Sequence, residues 1–217
     1  AMGDRWSRAV TLGDIARIKM SRGEVEEALS LHETELEVYE AIGDQRSRAV
    51  TLGDIARIKS SRGEVREALS IHEERLQVFE SLGDQRERAL TLGDIARIKS
   101  SMGAVSEAFS LHEERLQVFE SMGDRRERAV TLGDIAQIRA SRGELALAIA
   151  LHKERLDVFE SLRDRRARAM TMGDIARIKA DQGEAEAALL LHEERLQIFK
   201  SMGDWRSRAV TLGDIAR

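Results

Sequence analysis

A unit of 40 residues recurs along this chain without insertion or deletion, and that period constrains the fold more than any other feature. The copy from Gly43 to Leu82 starts again at Gly83, Gly123 and Gly203, and at Arg163 in a variant form; an earlier copy starts at Gly3. Gly43–Leu82 and Gly83–Met122 agree at 32 of 40 positions. A period of this length is the signature of a solenoid, in which each repeat touches only its neighbours and the core is a strip rather than a ball. The chain is therefore expected to be one repeat domain over residues 1–217. Its repeats span 3–42, 43–82, 83–122, 123–162 and 163–202, with a terminal half-repeat at 203–217.

Each repeat reads as two helices, A and B. Helix A of the first repeat is predicted over about Arg5–Ser21 and helix B over about Glu24–Ile42. Asp4 stands where a short carboxylate can cap the free amides of the first turn. The pairs Asp84/Glu87 and Asp124/Glu127 have the spacing of a capping box. Gly43 is placed to end helix B in the left-handed conformation. Arg163 takes that place once, at a cost of about 1 kcal/mol.

Within helix A a glycine recurs at Gly13, Gly53, Gly93, Gly133, Gly173 and Gly213. A mid-helix glycine costs about 0.8–1 kcal/mol relative to alanine, so six of them need a reason. Close approach of helix B is the simplest, with Ala28 and its copies as the facing residues. A turn of 100° per residue places Ala9, Leu12, Gly13 and Ala16 on one side of helix A. Helix B carries Val25, Ala28, Leu29, His32, Leu36 and Tyr39 on one stripe, and Leu31, Val38 and Ile42 on a second. Two stripes suit a helix covered both by its own partner and by the next repeat.

Charge narrows the partners. The repeat Gly43–Leu82 has seven basic and seven acidic side chains, and the whole chain is at −4. Such balance gives no electrostatic footprint for nucleic acid and no basic face for anionic lipid. There is no cysteine, so disulfides and thiolate metal sites are excluded. With no membrane-length apolar run and no signal peptide, the expectation is a cytoplasmic protein. Ala1-Met2 reads as a cloning remnant, and the helical pattern is still running at Arg217, so a piece of a longer array is expected.

On Leu12-Gly13, Ala16, Gly23 and Ala28 the chain resembles the tetratricopeptide repeat (TPR) family. It is most similar to the 40-residue subclass found in Pins-type adaptors. Leu52-Gly53-Asp54 stands here for their Leu-Gly-Asn, alongside His72-Glu73-Glu74-Arg75-Leu76. Similar long repeats form sensor segments of bacterial signalling proteins. The resemblance implies an all-α, right-handed superhelical solenoid of antiparallel helix pairs whose A helices line the concave face. It also implies a non-catalytic scaffold for an extended peptide segment.

The A-helix side opposite Leu12 and Ala16 then carries three ladders. One is Asp14, Asp54, Asp94, Asp134, Asp174 and Asp214; another is Arg17, Arg57, Arg97, Gln137, Arg177 and Arg217. The third is apolar: Val10, Val50, Leu90, Val130, Met170 and Val210. Carboxylates accept from peptide amides, and guanidiniums donate to carbonyls and carboxylates. Asp in place of the adaptors' Asn removes a donor, which favours mixed or basic peptides. The competing reading is that Asp and Arg, three apart, pair only with each other or with the next repeat.

No enzyme, cofactor or metal is expected. His32, His72, His112, His152 and His192 occur once per repeat. Helices stacked about 8–10 Å apart cannot bring two of them to one ion at about 2 Å. They are read as core histidines, with loss of stability in acid as the consequence. Every reactive-looking residue is repeated, whereas an active site needs one converging constellation. The ends differ: Trp6 and Trp205 are the only tryptophans, and the last unit has no helix B to cover Leu212 and Gly213. Head-to-tail stacking of chains through these residues is the alternative function, giving a homo-oligomer. A sensory arm of a larger signalling protein is another.

Overall fold

The computed structural model describes residues 2–216, so the readings made of Ala1 and Arg217 lie outside the described residues. The described residues form α1 (Met2–Ser21), α2 (Val25–Ile42), α3 (Gln45–Ser61), α4 (Val65–Leu82), α5 (Gln85–Ser101) and α6 (Val105–Met122). They continue as α7 (Arg125–Ser141), α8 (Leu145–Ser161), α9 (Arg165–Asp181), α10 (Ala185–Ser201) and α11 (Trp205–Ile215), with no strand among them. Odd helices are the A helices and even helices the B helices. The chain divides into two compact units, Ala1–Glu114 and Arg115–Arg217, with the division inside α6. Ala1–Glu114 is unit 1 and Arg115–Arg217 is unit 2.

Aspartate starts the A helices. Asp44, Asp84, Asp124, Asp164 and Asp204 each accept from the amide three residues on. In the first repeat α1 already begins at Met2, so Asp4 lies inside the first turn, where its charge opposes the helix dipole. The capping box is only half made. The Asp84 amide bonds back to the Phe79 carbonyl, and the Glu87 carboxylate turns to Arg75 instead. The B helices start on Glu24, Glu64, Glu144 and Glu184 with no side-chain cap. Those glutamates reach the last-turn cation of the preceding A helix, as Glu64 does to Lys59 at 2.9 Å.

Gly43, at φ 75°, closes α2 by donating from its own amide to Glu40 while the Asp44 amide bonds to Tyr39. Arg163 adopts φ 55° and keeps the equivalent bonds to Glu160 and Phe159. The junction is thus built in the same way with a side chain that disfavours it. Arg163→Gly is expected to stabilise the chain by about 1 kcal/mol. A thermal midpoint that stays level or falls in this variant would show that the arginine carries no strain.

Small residues let the helices come close, and the period is visible in the core. Ala16, Ala28 and Ile58 pack together in unit 1, as do Ala56, Ala68 and Ile98 one repeat on. Unit 2 repeats the same cluster as Ala136, Ala148 and Ile178. Phe159 packs with Ala129 and Val158, and Phe199 with Ala169, Met172 and Ile198. Thr51, Thr91, Thr131, Thr171 and Thr211 are also buried. Each satisfies its hydroxyl by donating to the carbonyl four residues back, for example Thr91 to Glu87 at 2.7 Å.

Candidate functional site

The mid-helix glycine makes room for a buried charge rather than for Ala28. A Cβ on Gly53 would stand 3.0 Å from Cζ of Arg75, and one on Gly173 2.9 Å from Cζ of Arg195. On Gly133 it would stand 2.8 Å from Nη1 of Arg155. Ala28 packs on Ala16 and Ile58, while Gly13 faces Glu35, 2.6 Å from its would-be Cβ. Arg75 is 6% exposed and Arg115 3%. Each guanidinium lies over the phenylalanine four residues on, Arg75 at 5.3 Å from the Phe79 ring and Arg155 at 5.5 Å from Phe159.

These arginines hold the aspartate ladder. Arg75 donates to Asp94 at 3.0 Å and to Glu87 at 3.2 Å, and Arg115 to Asp134 at 2.8 Å and Glu127 at 3.3 Å. Arg155 bonds Asp174 at 3.0 Å and Arg195 bonds Asp214 at 2.9 Å. Ala167 and Ser207 stand where Glu87 and Glu127 stand, so these two arginines have one carboxylate fewer. The first repeat differs: Glu35 replaces the arginine and is buried, accepting from Nδ1 of His32 at 2.7 Å. Asp54 then pairs with Arg57 at 2.6 Å and lies 3.8 Å from Arg17, which also bonds Asp14 at 2.7 Å.

The ladder arginines themselves face water. Arg17, Arg57 and Arg97 in unit 1 and Arg177 in unit 2 are exposed, as is Gln137. Arg97 pairs with Asp94, and Arg177 lies 3.6 Å from Asp174. Of the apolar ladder, Val50 and Met170 are exposed and Val10, Leu90 and Val130 half-buried. On α3 the exposed positions Arg46, Val50, Arg57 and Ser61 fall at helical spacing on one face. In unit 2, Met170, Asp174 and Arg177 come together with His192, Arg195 and Asp214 around an open cavity of about 520 Å³.

The five histidines are buried. Desolvation pushes the His72 imidazole down to about 4, against the pull of Asp94, and lowers His152 and His192 as well. Among the described residues no three metal-ligating side chains gather, and no helix is long and apolar enough to cross a membrane. Trp6 is half exposed, and Trp205 is 68% exposed beneath the Arg206 guanidinium. Leu212 is 50% exposed, and a Cβ on Gly213 would meet nothing within 4 Å.

The buried arginines are the residues that sequence reasoning missed. Arg75 lies between His72 and Phe79 on the stripe that also holds Ala68, and that spacing was the available signal.

Comparison with known proteins agrees with this architecture. No curated protein matches the chain by sequence. By structure it is similar to a kinesin light chain with nearly identical TPR-like repeats from Podospora anserina. The TM-score is 0.70 at 21% identity, over 90% of this chain and 97% of that one. It is similar to a signal-transduction ATPase with a tetratricopeptide repeat sensor from Pyrococcus horikoshii, with a TM-score of 0.72 at 16% identity, over 98% of this chain and 36% of that one. It is also similar to a Rap protein complexed with Competence and Sporulation Factor, with a TM-score of 0.81 at 13% identity, over 94% of this chain and 57% of that one. The sequence model of the tetratricopeptide repeat matches residues 7–81 and 127–201, more than half of the chain. With its paired helices, its left-handed turn residues and its alanine-lined contacts, the chain belongs to the tetratricopeptide repeat family.

Proposed function

We propose that this chain, as one repeat domain over residues 1–217, is a non-catalytic interaction scaffold that holds an extended segment of a partner protein along the exposed stripe of its A helices. The observation that carries the reading is the division of labour between the two charged ladders. Asp94 and Asp174 accept from buried arginines on one side, and the exposed Arg97 and Arg177 approach the same carboxylates from the solvent side, so two guanidiniums share one acid. In unit 1 the exposed guanidiniums interleaved with Val50 and Leu90 offer donors to backbone carbonyls and carboxylates, with shallow apolar seats between them, and in unit 2 Arg177 and Met170 offer the same. This reverses the expectation of mixed or basic segments: from Asp94 onward the ladder carboxylates are neutralised from below, which leaves the surface guanidiniums to favour acidic ones. The Rap protein bound to its factor gives a structural parallel for ligand binding on such a frame.

An array of short extended peptides graded from basic to acidic tests this directly. The acidic members should bind, and R57A/R97A should weaken them about tenfold or more, in line with the loss of two charge-assisted contacts. Retention that is independent of peptide charge, or unchanged in the double variant, would refute the reading.

A further inference from the structure

Each turn from a B helix to the next A helix is flanked in sequence by two equivalent residues. These follow the aspartate at the start of the A helix before it and of the A helix after it. At Gly43, Gly83, Gly123 and Gly203 the flanking residues are Arg5 and Gln45, Gln45 and Gln85, Gln85 and Arg125, and Arg165 and Trp205. The turn at 163 alone has arginine at all three positions, as Arg125, Arg163 and Arg165. Its text Arg163–Arg168 holds four arginines and one acid, where Gly83–Arg88 holds two of each.

Unit 2 brings these side chains to one turn. From α7, Arg125 donates to the Ser161 hydroxyl at 2.9 Å and Arg126 to Asp164 at 3.2 Å, so the two bracket Arg163. Arg165 donates to the Ser201 hydroxyl. All three arginines of the turn are exposed. Arg125 and Arg165 bond only neutral hydroxyls, and Arg163 has no ion-pair partner among the described residues. Arg163 also keeps its place at φ 55°, where glycine serves the other turns of this kind. Backbone strain of that sort collects where a side chain has work to do.

The acids around the turn are engaged or lie at its margins. Asp164 accepts from the Ala167 amide with one oxygen and from Arg126 with the other. Glu127 pairs with Arg115, and α9 has Ala167 in the equivalent place. Asp124 caps α7, and Asp157 and Glu160 are exposed on the last two turns of α8. Positive charge is therefore confined to a spot bounded by acids. A nucleic-acid strand needs cations along its length and would meet those acids, whereas a single group of concentrated charge meets the arginines alone.

We infer that the turn of Arg125, Arg163 and Arg165 binds one phosphorylated side chain of a partner protein. A phosphate monoester carries a charge of about −1.5 to −2 and three acceptor oxygens, enough to engage several guanidiniums at once. A carboxylate has one charge and two oxygens, and a single arginine fork satisfies it. The planar fork suits phosphate oxygens better than an ammonium does, and lysine stands at none of the three positions. The site shares no residue with the A-helix stripe, so the two readings stand or fall separately.

Fluorescence anisotropy with a short labelled peptide of neutral residues around one phosphoserine makes the test, beside the same peptide with serine and with glutamate. The phosphoserine form should bind saturably, and the other two about tenfold or more weakly. R125Q/R163G/R165Q returns the three positions to the residues of the Gly83 turn, so the fold is retained, which circular dichroism and the thermal midpoint confirm. This variant should bind the phosphopeptide about tenfold or more weakly than wild type, while R57A/R97A leaves binding unchanged. Equal binding of the phosphoserine peptide and either of the others, or a triple variant that binds as wild type does, overturns the inference. So does an oligothymidylate that binds the wild type more tightly than the phosphopeptide and is lost in the triple variant, because a nucleic-acid strand is then the occupant.

Discussion

Arg75→Ala is expected to destabilise the chain by about 3 kcal/mol, through loss of one partner from a buried ion group. Arg75 is the shared counter-ion of Asp94 and Glu87, and its guanidinium also covers the Phe79 ring. Without it, two carboxylates of low exposure face each other beside the bare backbone of Gly53. Arg97, which bonds Asp94 from the solvent side, keeps the loss from being larger. Arg155→Ala should cost about half as much. It strips a counter-ion from Asp174 alone, because Ala167 replaces the second acid. Denaturant unfolding of the two variants under identical conditions makes the comparison. Equal losses, or a larger loss at Arg155, would mean that packing against phenylalanine rather than charge pairing sets the value of these residues.

Acid is expected to destabilise the array from pH 6.5 downward, through its buried histidines. His72 is held near 4 by burial among Arg57, Arg75 and Arg97 on one side and Asp94 on the other. Its unfolded value is about 6.5. The native state therefore binds fewer protons between these values, and stability rises with pH across that window. It is fully present above 6.5, declines as pH falls through 6.5 and has lost this contribution by about 4. At pH 5 the loss from His72 alone is about 1–2 kcal/mol. His152 and His192, lowered by the same desolvation, add to it. Thermal midpoints taken in steps from pH 7.5 to 5 should fall progressively, and His72→Leu should flatten the curve. A midpoint constant over that range would rule out neutral burial as the source of pH dependence.

Much of this fold is legible in the text of one repeat. The 40-residue period, the aspartate that opens each A helix from Asp44 onward and the glycine that closes helix B are all local signals, and each is satisfied by local backbone bonds. Arg163 could be placed in the left-handed region because its neighbours dictate the turn whatever the side chain. The buried ion groups were hidden for a physical reason. Sequence pattern ranks residues by apolarity, so Arg75 reads as surface even though it lies on the same stripe as His72 and Phe79. Its burial depends on Asp94, contributed by the next repeat, and on the space left by Gly53, contributed by the previous helix. For the same reason the glycine was matched to Ala28, the small residue that sequence makes conspicuous. Sequence pairs the aspartate ladder with the arginine three residues on, as Asp94 is with Arg97, whereas its buried partners lie 19 residues away and leave no such local mark.

That separation has a further meaning for how the array holds together. Each buried arginine belongs to a B helix and each of its aspartates to the A helix that follows, in the next copy of the duplicated text. The electrostatic module is therefore B followed by A, out of phase with the A-then-B unit that the sequence repeats. Cutting or permuting the chain at the glycine before an A helix severs every buried module it touches, whereas a cut at the turn between A and B leaves each buried arginine with its aspartate and parts only more exposed pairs such as Lys59 and Glu64. Duplication copies one frame and cohesion follows the other, so each new repeat is locked to its neighbours by charge from the moment it is inserted.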